Sequence, residues 1–295
     1  MRFVRRLLAP RPAGLLRTRE ENRMDNRSPR GAAPAAAGAP HLRAGSATHV
    51  GRVRTHNEDV LLTFTSELQG DTALDAFGLF ILADGMGGHQ SGEVASSLAV
   101  RTVAREVLEH VYTPYLIHGR PGTTQTPLAE ALTQAVDEAS KMVYNNVPGG
   151  GTTLTCLLVV NERAVIAHVG DSRAYVYHDG LLRQITKDHS YVDKLVEMGQ
   201  LTAEEAAVHP QKNVLYRAVG QEGLLEVDTH VETIPRRGRL LLCSDGLWGM
   251  LSDEEIARIV SHAATAQAAC NQLVDAANEA GGRDNITAIV VEVYA

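Results

Sequence analysis

Basic charge, long apolar runs and paired cysteines are what this sequence is short of, and each shortage removes a class of function. No stretch approaches the ~20 consecutive apolar residues that a membrane-spanning helix needs. The chain is therefore expected to be soluble and cytoplasmic, with no membrane partner. Its three cysteines, Cys156, Cys243 and Cys270, are far apart and set among apolar neighbours. They read as buried reduced thiols, not as a disulfide framework or a zinc site. Ten of the 28 Lys and Arg, but only three of the 35 Asp and Glu, fall in residues 1–44, leaving 18 bases against 32 acids in residues 45–295. So acidic a body does not suit nucleic acid, whose phosphates need clustered cations. It does suit a site that gathers carboxylates around metal ions. CxxC and HExxH patterns are also missing, as are a P-loop, a dinucleotide fingerprint and the βαβ alternation of a parallel sheet.

What is present divides unevenly. Residues 1–44 hold a short basic segment, MRFVRRLLAP, and a low-complexity linker, GAAPAAAGAP. They read as a disordered Arg/Ala/Pro-rich leader, as the product of a start codon placed too early with Met24 the true start, or as an Arg-rich transit peptide. A secretory signal does not fit, because no apolar region of about 7–15 residues follows the arginines. The 44% hydrophobic content of the 295 residues is enough to bury a large core. One folded domain is expected over residues 45–295.

Leu79–Ala83 is a short apolar run that stops at Asp84 and is followed by Gly85, Gly87 and Gly88, the pattern of a buried strand ending in a turn. Val94, Leu98, Val103, Val107 and Val111 then recur at helical spacing, as do Leu132, Ala135, Val136, Ala139 and Val143 behind Pro127, placed at the first helical position. Thr152–Val160 and Ala164–Val169 predict a hairpin. Asp179-Gly180 predicts another, between Ala174–His178 and Leu181–Thr186. Residues 187–221 are polar, with Thr202 and Glu205 spaced as a capping box, and read as a surface flap. Strands are expected at Glu226–Ile234, Arg239–Cys243 and Ile286–Val293. Helices are expected from Ser252 to about Val260 and over Thr265–Ala280, the latter stopped by Gly281. Closely linked strands bracketed by helix pairs predict an α+β fold: a four-layer α-β-β-α sandwich of two packed antiparallel sheets flanked by helices.

Asp84, Asp171, Asp245 and Asp284 all stand where a strand meets a turn, and Glu58-Asp59 stand in another such junction. If these junctions share one edge, six carboxylates meet. Like charges cannot be buried unpaired, and cations resolve the conflict. With only oxygen donors, Mg²⁺ or Mn²⁺ is expected. Two such ions about 4 Å apart activate a water for in-line attack on phosphorus. The Arg54 guanidinium suits a phosphate, which it can grip by two donors.

The succession RTHNED, ADGMGGHQSGE, GGTT, HVGDSR, DHS, CSDGLW and GGRDNIT resembles the metal-dependent protein phosphatase family of the phosphatase 2C type, in its bacterial form, over residues 45–295. The resemblance implies hydrolysis of phosphoserine and phosphothreonine in proteins at a binuclear Mn²⁺ or Mg²⁺ centre. It further implies that Asp84 bridges two metals, that the Gly85 carbonyl binds one of them, and that Asp245 and Asp284 complete the first metal's protein ligands. Glu58 and Asp59 would act on the second metal, and Asp171 with Asp245 on a weaker third. Arg54 would bind the substrate phosphate, and Gly151, Thr152 and Thr153 would have a structural role. Met86 stands where better-known eukaryotic members carry a histidine proposed as general acid. His89 is the candidate substitute, with helix capping as its other reading. Phosphorylated proteins, among them Ser/Thr kinases and their substrates, are the expected partners of a monomeric enzyme. The rival readings are a phosphatase of another phosphomonoester and a non-catalytic phosphate-binding module.

Overall fold

The structure, a computed structural model, describes residues 41–68, 74–87, 90–119, 127–160, 162–235 and 237–294. Residues 1–40 of the expected leader and His89 lie outside the described residues. In chain order the elements are β1 (His41–His49), β2 (Asp59–Leu68), β3 (Leu74–Met86), α1 (Gln90–Val107), α2 (Thr113–His118), α3 (Leu128–Asn146) and β4 (Gly151–Thr152). There follow β5 (Leu154–Val160), β6 (Arg163–Val169), β7 (Arg173–His178), β8 (Leu181–Gln184), α4 (Tyr191–Glu197), α5 (Ala203–Ala207) and β9 (Asp228–Thr233). The last are β10 (Arg239–Cys243), α6 (Asp245–Trp248), α7 (Asp253–His262), α8 (Ala266–Glu279) and β11 (Ile286–Tyr294).

One sheet runs β1-β11-β10-β7-β8 and the other β2-β3-β5-β6-β9, with short β4 added to the end of β3. Every pairing is antiparallel. Period-two alternation explains why the sheets stack. On β3, Phe80 and Leu82 face the other sheet and, with Leu157 and Ile166 of their own sheet, pack in one core with Leu242 and Ile289 of the opposite one. Leu79, Ile81 and Ala83 face away, onto α1 and α3. On the other sheet Leu241, Ala288 and Val290 turn outward to α7 and α8. The result is the expected α-β-β-α sandwich, in which each fully buried Leu or Ile contributes about 1.5–3 kcal/mol.

Several local details depart from the sequence pattern. Strand β1 starts at His41, ahead of the expected boundary at 45, and pairs along its length with β11. The first helix widens into a π turn at Leu108–Tyr112 before α2. Pro114 follows at once, and having no N–H it cannot continue the regular ladder. Pro127 occupies the position before α3, not its first turn. Helix α8 does end at Gly281 as expected: it follows the C-cap Ala280 with φ +133°, its N–H donates to the Asn278 carbonyl, and the Gly282 N–H donates to the Ala277 carbonyl. The Asp179-Gly180 hairpin and the capping boxes at Thr202 and Ser252 form as expected. Among the described residues no helix is long and apolar enough to cross a membrane.

Candidate metal centre

Alternation also decides which side chains reach the site. Asp84 follows Phe80 and Leu82 on the inter-sheet face of β3, and it is directly paired with Asp59 of β2. Both therefore point between the sheets, at the end where the core opens. Asp245 begins α6 just after β10, Asp284 stands two residues before β11, and Asp171 follows β6. These ends converge on a cleft of about 320 Å³ lined by Arg54, Glu58, Asp84, Gly85, Asp171, Asp245 and Asp284. Asp59 lies beneath the cleft. Its Oδ2 accepts hydrogen bonds from Ser244 Oγ (2.8 Å) and Thr287 Oγ1 (2.6 Å), tying one sheet to the other.

The backbone around Asp84 is held rigidly. The Asp84 N–H donates to Thr153 Oγ1 (2.9 Å), and its carbonyl accepts from Thr153 N–H and Thr152 Oγ1 (2.8 Å each). Glycine at 85 is a steric requirement, because a Cβ there would sit 2.2 Å from the Gly92 carbonyl oxygen. Gly246 is constrained in the same way, since its Cβ would meet the Asn285 carbonyl oxygen at 2.0 Å.

Electrostatically the cleft is under stress. Burial, and then the charges of Asp59, Asp245, Asp171 and Asp284, hold the Asp84 carboxyl well above the usual carboxylate range, although one side of it stays open to the cleft. Burial and Asp245 do the same to Asp171. Asp59 is pushed up to about 7, chiefly by burial, which outweighs the two hydroxyl donors. Asp245 is pushed to about 6 by burial and by Asp284, and its carboxyl lies within hydrogen-bonding reach of Asp84. Two buried oxygens, Asp59 Oδ1 and Asp245 Oδ1, have no hydrogen-bond partner. Arg54 supplies one positive charge, donating from Nη2 to Asp284 Oδ2 (2.6 Å), but a single half-exposed guanidinium does not balance five acids.

Divalent cations fit this set. The donors are all oxygen, they repel one another, and two are orphaned. Among the described residues no three His, Cys, Asp or Glu side chains are arranged to enclose an ion by themselves. This is compatible with Mg²⁺-like ions, which keep several waters and take only one or two carboxylates each.

Comparison with known proteins agrees with this donor chemistry. The family description Protein phosphatase 2C matches residues 55–287. The chain belongs to the protein phosphatase 2C family. The serine/threonine phosphatase stp of Listeria monocytogenes is 38% identical over 251 residues, covering 83% of this chain and 93% of that protein. The catalytic domain of the serine/threonine protein phosphatase PstP, solved with two manganese ions, superposes with a TM-score of 0.68 at 33% identity, over 87% of this chain and all of that one. The Streptococcus agalactiae serine/threonine phosphatase gives a TM-score of 0.71 at 32% identity, over 85% of this chain and 99% of that one.

In this phosphatase 2C domain the carboxylates expected from the sequence come together, with Asp59 under the floor and Arg54 bound to Asp284. Apart from Thr152 and Thr153, the residues that hold them are ones that sequence reasoning passed over. Asn285 is a hub: its Oδ1 accepts the Glu58 N–H (2.8 Å), and its Nδ2 donates to the carbonyls of Val50 (3.0 Å) and His56 (2.8 Å). Its place between Asp284 and a strand was the available signal. Ser244 and Thr287 carried a weaker one, polar residues at inward positions of apolar strands. The flap contributes Asn213 and Leu215 to the cleft wall. It is tied to the body where His189 N–H donates to the Gly170 carbonyl and Thr152 pairs with Val219.

Proposed function

We propose that this chain is a Mn²⁺- or Mg²⁺-dependent phosphatase that removes phosphate from phosphoserine and phosphothreonine in proteins, acting as a cytoplasmic monomer that opposes Ser/Thr kinases. The observation that carries this reading is the convergence of four aspartates on one cleft with a fifth, Asp59, buried beneath it, two of their oxygens being orphaned. Asp84, Asp245 and Asp284, with the Gly85 carbonyl, would hold the first ion. Asp84, Glu58 and Asp59 would serve the second, and Asp171 with Asp245 a third. Bound ions supply a water of lowered pKa and polarise the phosphoryl oxygens.

The chain's own residues do the rest. Arg54 spends one of its five N–H donors on Asp284, which aims the guanidinium at the cleft and leaves donors for phosphate oxygens. Thr152 and Thr153 stop the Asp84 backbone from shifting, so its carboxylate geometry survives substrate binding. His89 is carried forward as the proton donor to the leaving alkoxide, and it lies outside the described residues.

p-Nitrophenyl phosphate turnover with added Mn²⁺ tests the reading. It is expected to be abolished by EDTA and to fall at least ~100-fold in Asp245→Ala, a loss of roughly 3 kcal/mol of transition-state stabilisation. Phosphothreonine peptides should then be preferred to phosphorylated metabolites. The reverse preference would favour the other phosphomonoesterase, and binding without turnover the non-catalytic module.

A further inference from the structure

Beside the metal cleft, and sharing Asn213, Asp245 and Asp284 with it, lies a second cavity of about 580 Å³ between the flap and α6. Its walls are unlike those of the cleft. Val192, Val196 and Ala206 from α4 and α5 face Trp248, the last residue of α6, and Met250 just beyond it. The indole is a fixed platform: its Nε1–H donates to the Asp171 carbonyl (3.0 Å), and the Arg173 guanidinium stacks 3.7 Å from the ring centroid.

The charges around this groove are unequal. Asp188 is neutralised by Arg173, through contacts at 2.8–3.1 Å, and Asp193 accepts from Ser190 Oγ at the start of α4. Lys212 and Arg283 line the same groove, are exposed, and have no acidic partner among the described residues. The groove's remaining acids are Asp245 and Asp284, which also line the metal cleft, and the half-buried Asp193, so the exposed charges that the groove offers are the two unpaired cations.

We infer that this groove binds the stretch of a phosphoprotein next to its phosphoresidue, and that it selects an apolar side chain, seated on Trp248 and Met250, accompanied by an acidic residue that meets Lys212 and Arg283. The inference rests on the proposed phosphatase function and adds substrate class to it. Because the groove and the metal cleft share Asn213, Asp245 and Asp284 in their walls, an extended peptide advancing about 3.3 Å per residue reaches the groove within a few positions of the phosphothreonine. A basic neighbour in the same place would face two like charges, so the groove discriminates by repulsion as well as by attraction.

Synthetic phosphothreonine peptides test this with the full-length chain and Mn²⁺. One set carries Leu and Glu within three residues of the phosphothreonine, on either side, and the control sets replace Glu by Lys or Leu by Ala. The Leu/Glu peptides are expected to exceed the Lys peptides in kcat/KM by about tenfold at low salt for one of the two placements, with the ratio shrinking as salt rises. Lys212→Glu should bring that ratio to one or below, and Lys212→Ala should give an intermediate value. Equal kcat/KM for all sets, a ratio that Lys212→Glu leaves untouched, or a preference that ignores the Leu to Ala change overturns the inference while leaving the phosphatase reading standing. Failure of the unmodified chain to turn over p-nitrophenyl phosphate or any peptide overturns the proposed function, and the inference with it.

Discussion

Asp84→Asn is expected to lower turnover of p-nitrophenyl phosphate by ~1000-fold or more, and yet to raise the melting temperature of the metal-free protein at pH 8. The first effect follows from removing a carboxylate that would hold the ions, which when bound would supply several kcal/mol of transition-state stabilisation, each 1.4 kcal/mol being a factor of ten. The second follows from the local electrostatics. Burial and four neighbouring acids hold the Asp84 carboxyl above its unfolded pKa. A group raised in this way disfavours folding in its charged form. The folded state is therefore unpenalised below the unfolded pKa of about 3.9, and it loses stability as pH rises through the higher folded value. Asparagine removes that penalty, raising the midpoint by about 2–4 °C for each kcal/mol of repulsion relieved. At pH 5 the difference should shrink. The variant should also lose the Mn²⁺-induced rise in melting temperature, which for the unmodified chain is worth about 2.7 kcal/mol at a hundred times Kd. A variant less stable than its parent at pH 8 would mean that Asp84 serves the fold and is not held in a repulsive cluster.

The largest expected effect on stability lies at the root of the flap. Arg173 is mostly buried against Asp188, whose side chain is only 3% exposed, while stacked on Trp248. Burial alone would lower the Arg173 pKa, and the hydrogen bonds and charge of Asp188 raise it above the ordinary value. Burial raises Asp188, and Arg173 limits the rise. Arg173→Ala leaves a buried carboxylate with Gln184 Nε2 (3.2 Å) as its remaining donor. Breaking a buried pair from one side costs about 3–5 kcal/mol, a fall of roughly 10 °C in a domain of this size. Adding Asp188→Asn should recover much of the loss. If the double variant melts no higher than the single one, the penalty comes from lost packing on Trp248 and not from the stranded charge.

How far the sequence carries can be judged residue by residue. The strand-terminal acids were legible because each ends or precedes an apolar run, and the sandwich was legible because helical and strand periodicities alternate in blocks. Bracing of Asp84 by Thr152 and Thr153 was not, since it depends on β4 pairing with β3 across more than sixty residues of chain. Nor was the cross-sheet tie of Asp59 to Ser244 and Thr287, which needs the register of three strands at once. The pairing of Arg54 with Asp284 belongs to the same class of non-local contact. The π turn at Leu108–Tyr112 escaped for a local reason: the apolar stripe continues through Val111, and periodicity does not register the widening before Pro114.

Anomalous diffraction at the manganese edge, from crystals of the unmodified chain grown with Mn²⁺, tests the central claim most directly. Two peaks about 4 Å apart, one or both in coordination contact with Asp84 and flanked by Asp245 and Asp284, are the predicted result. Peaks confined to other residues, or an empty cleft at Mn²⁺ concentrations that support turnover, would contradict it.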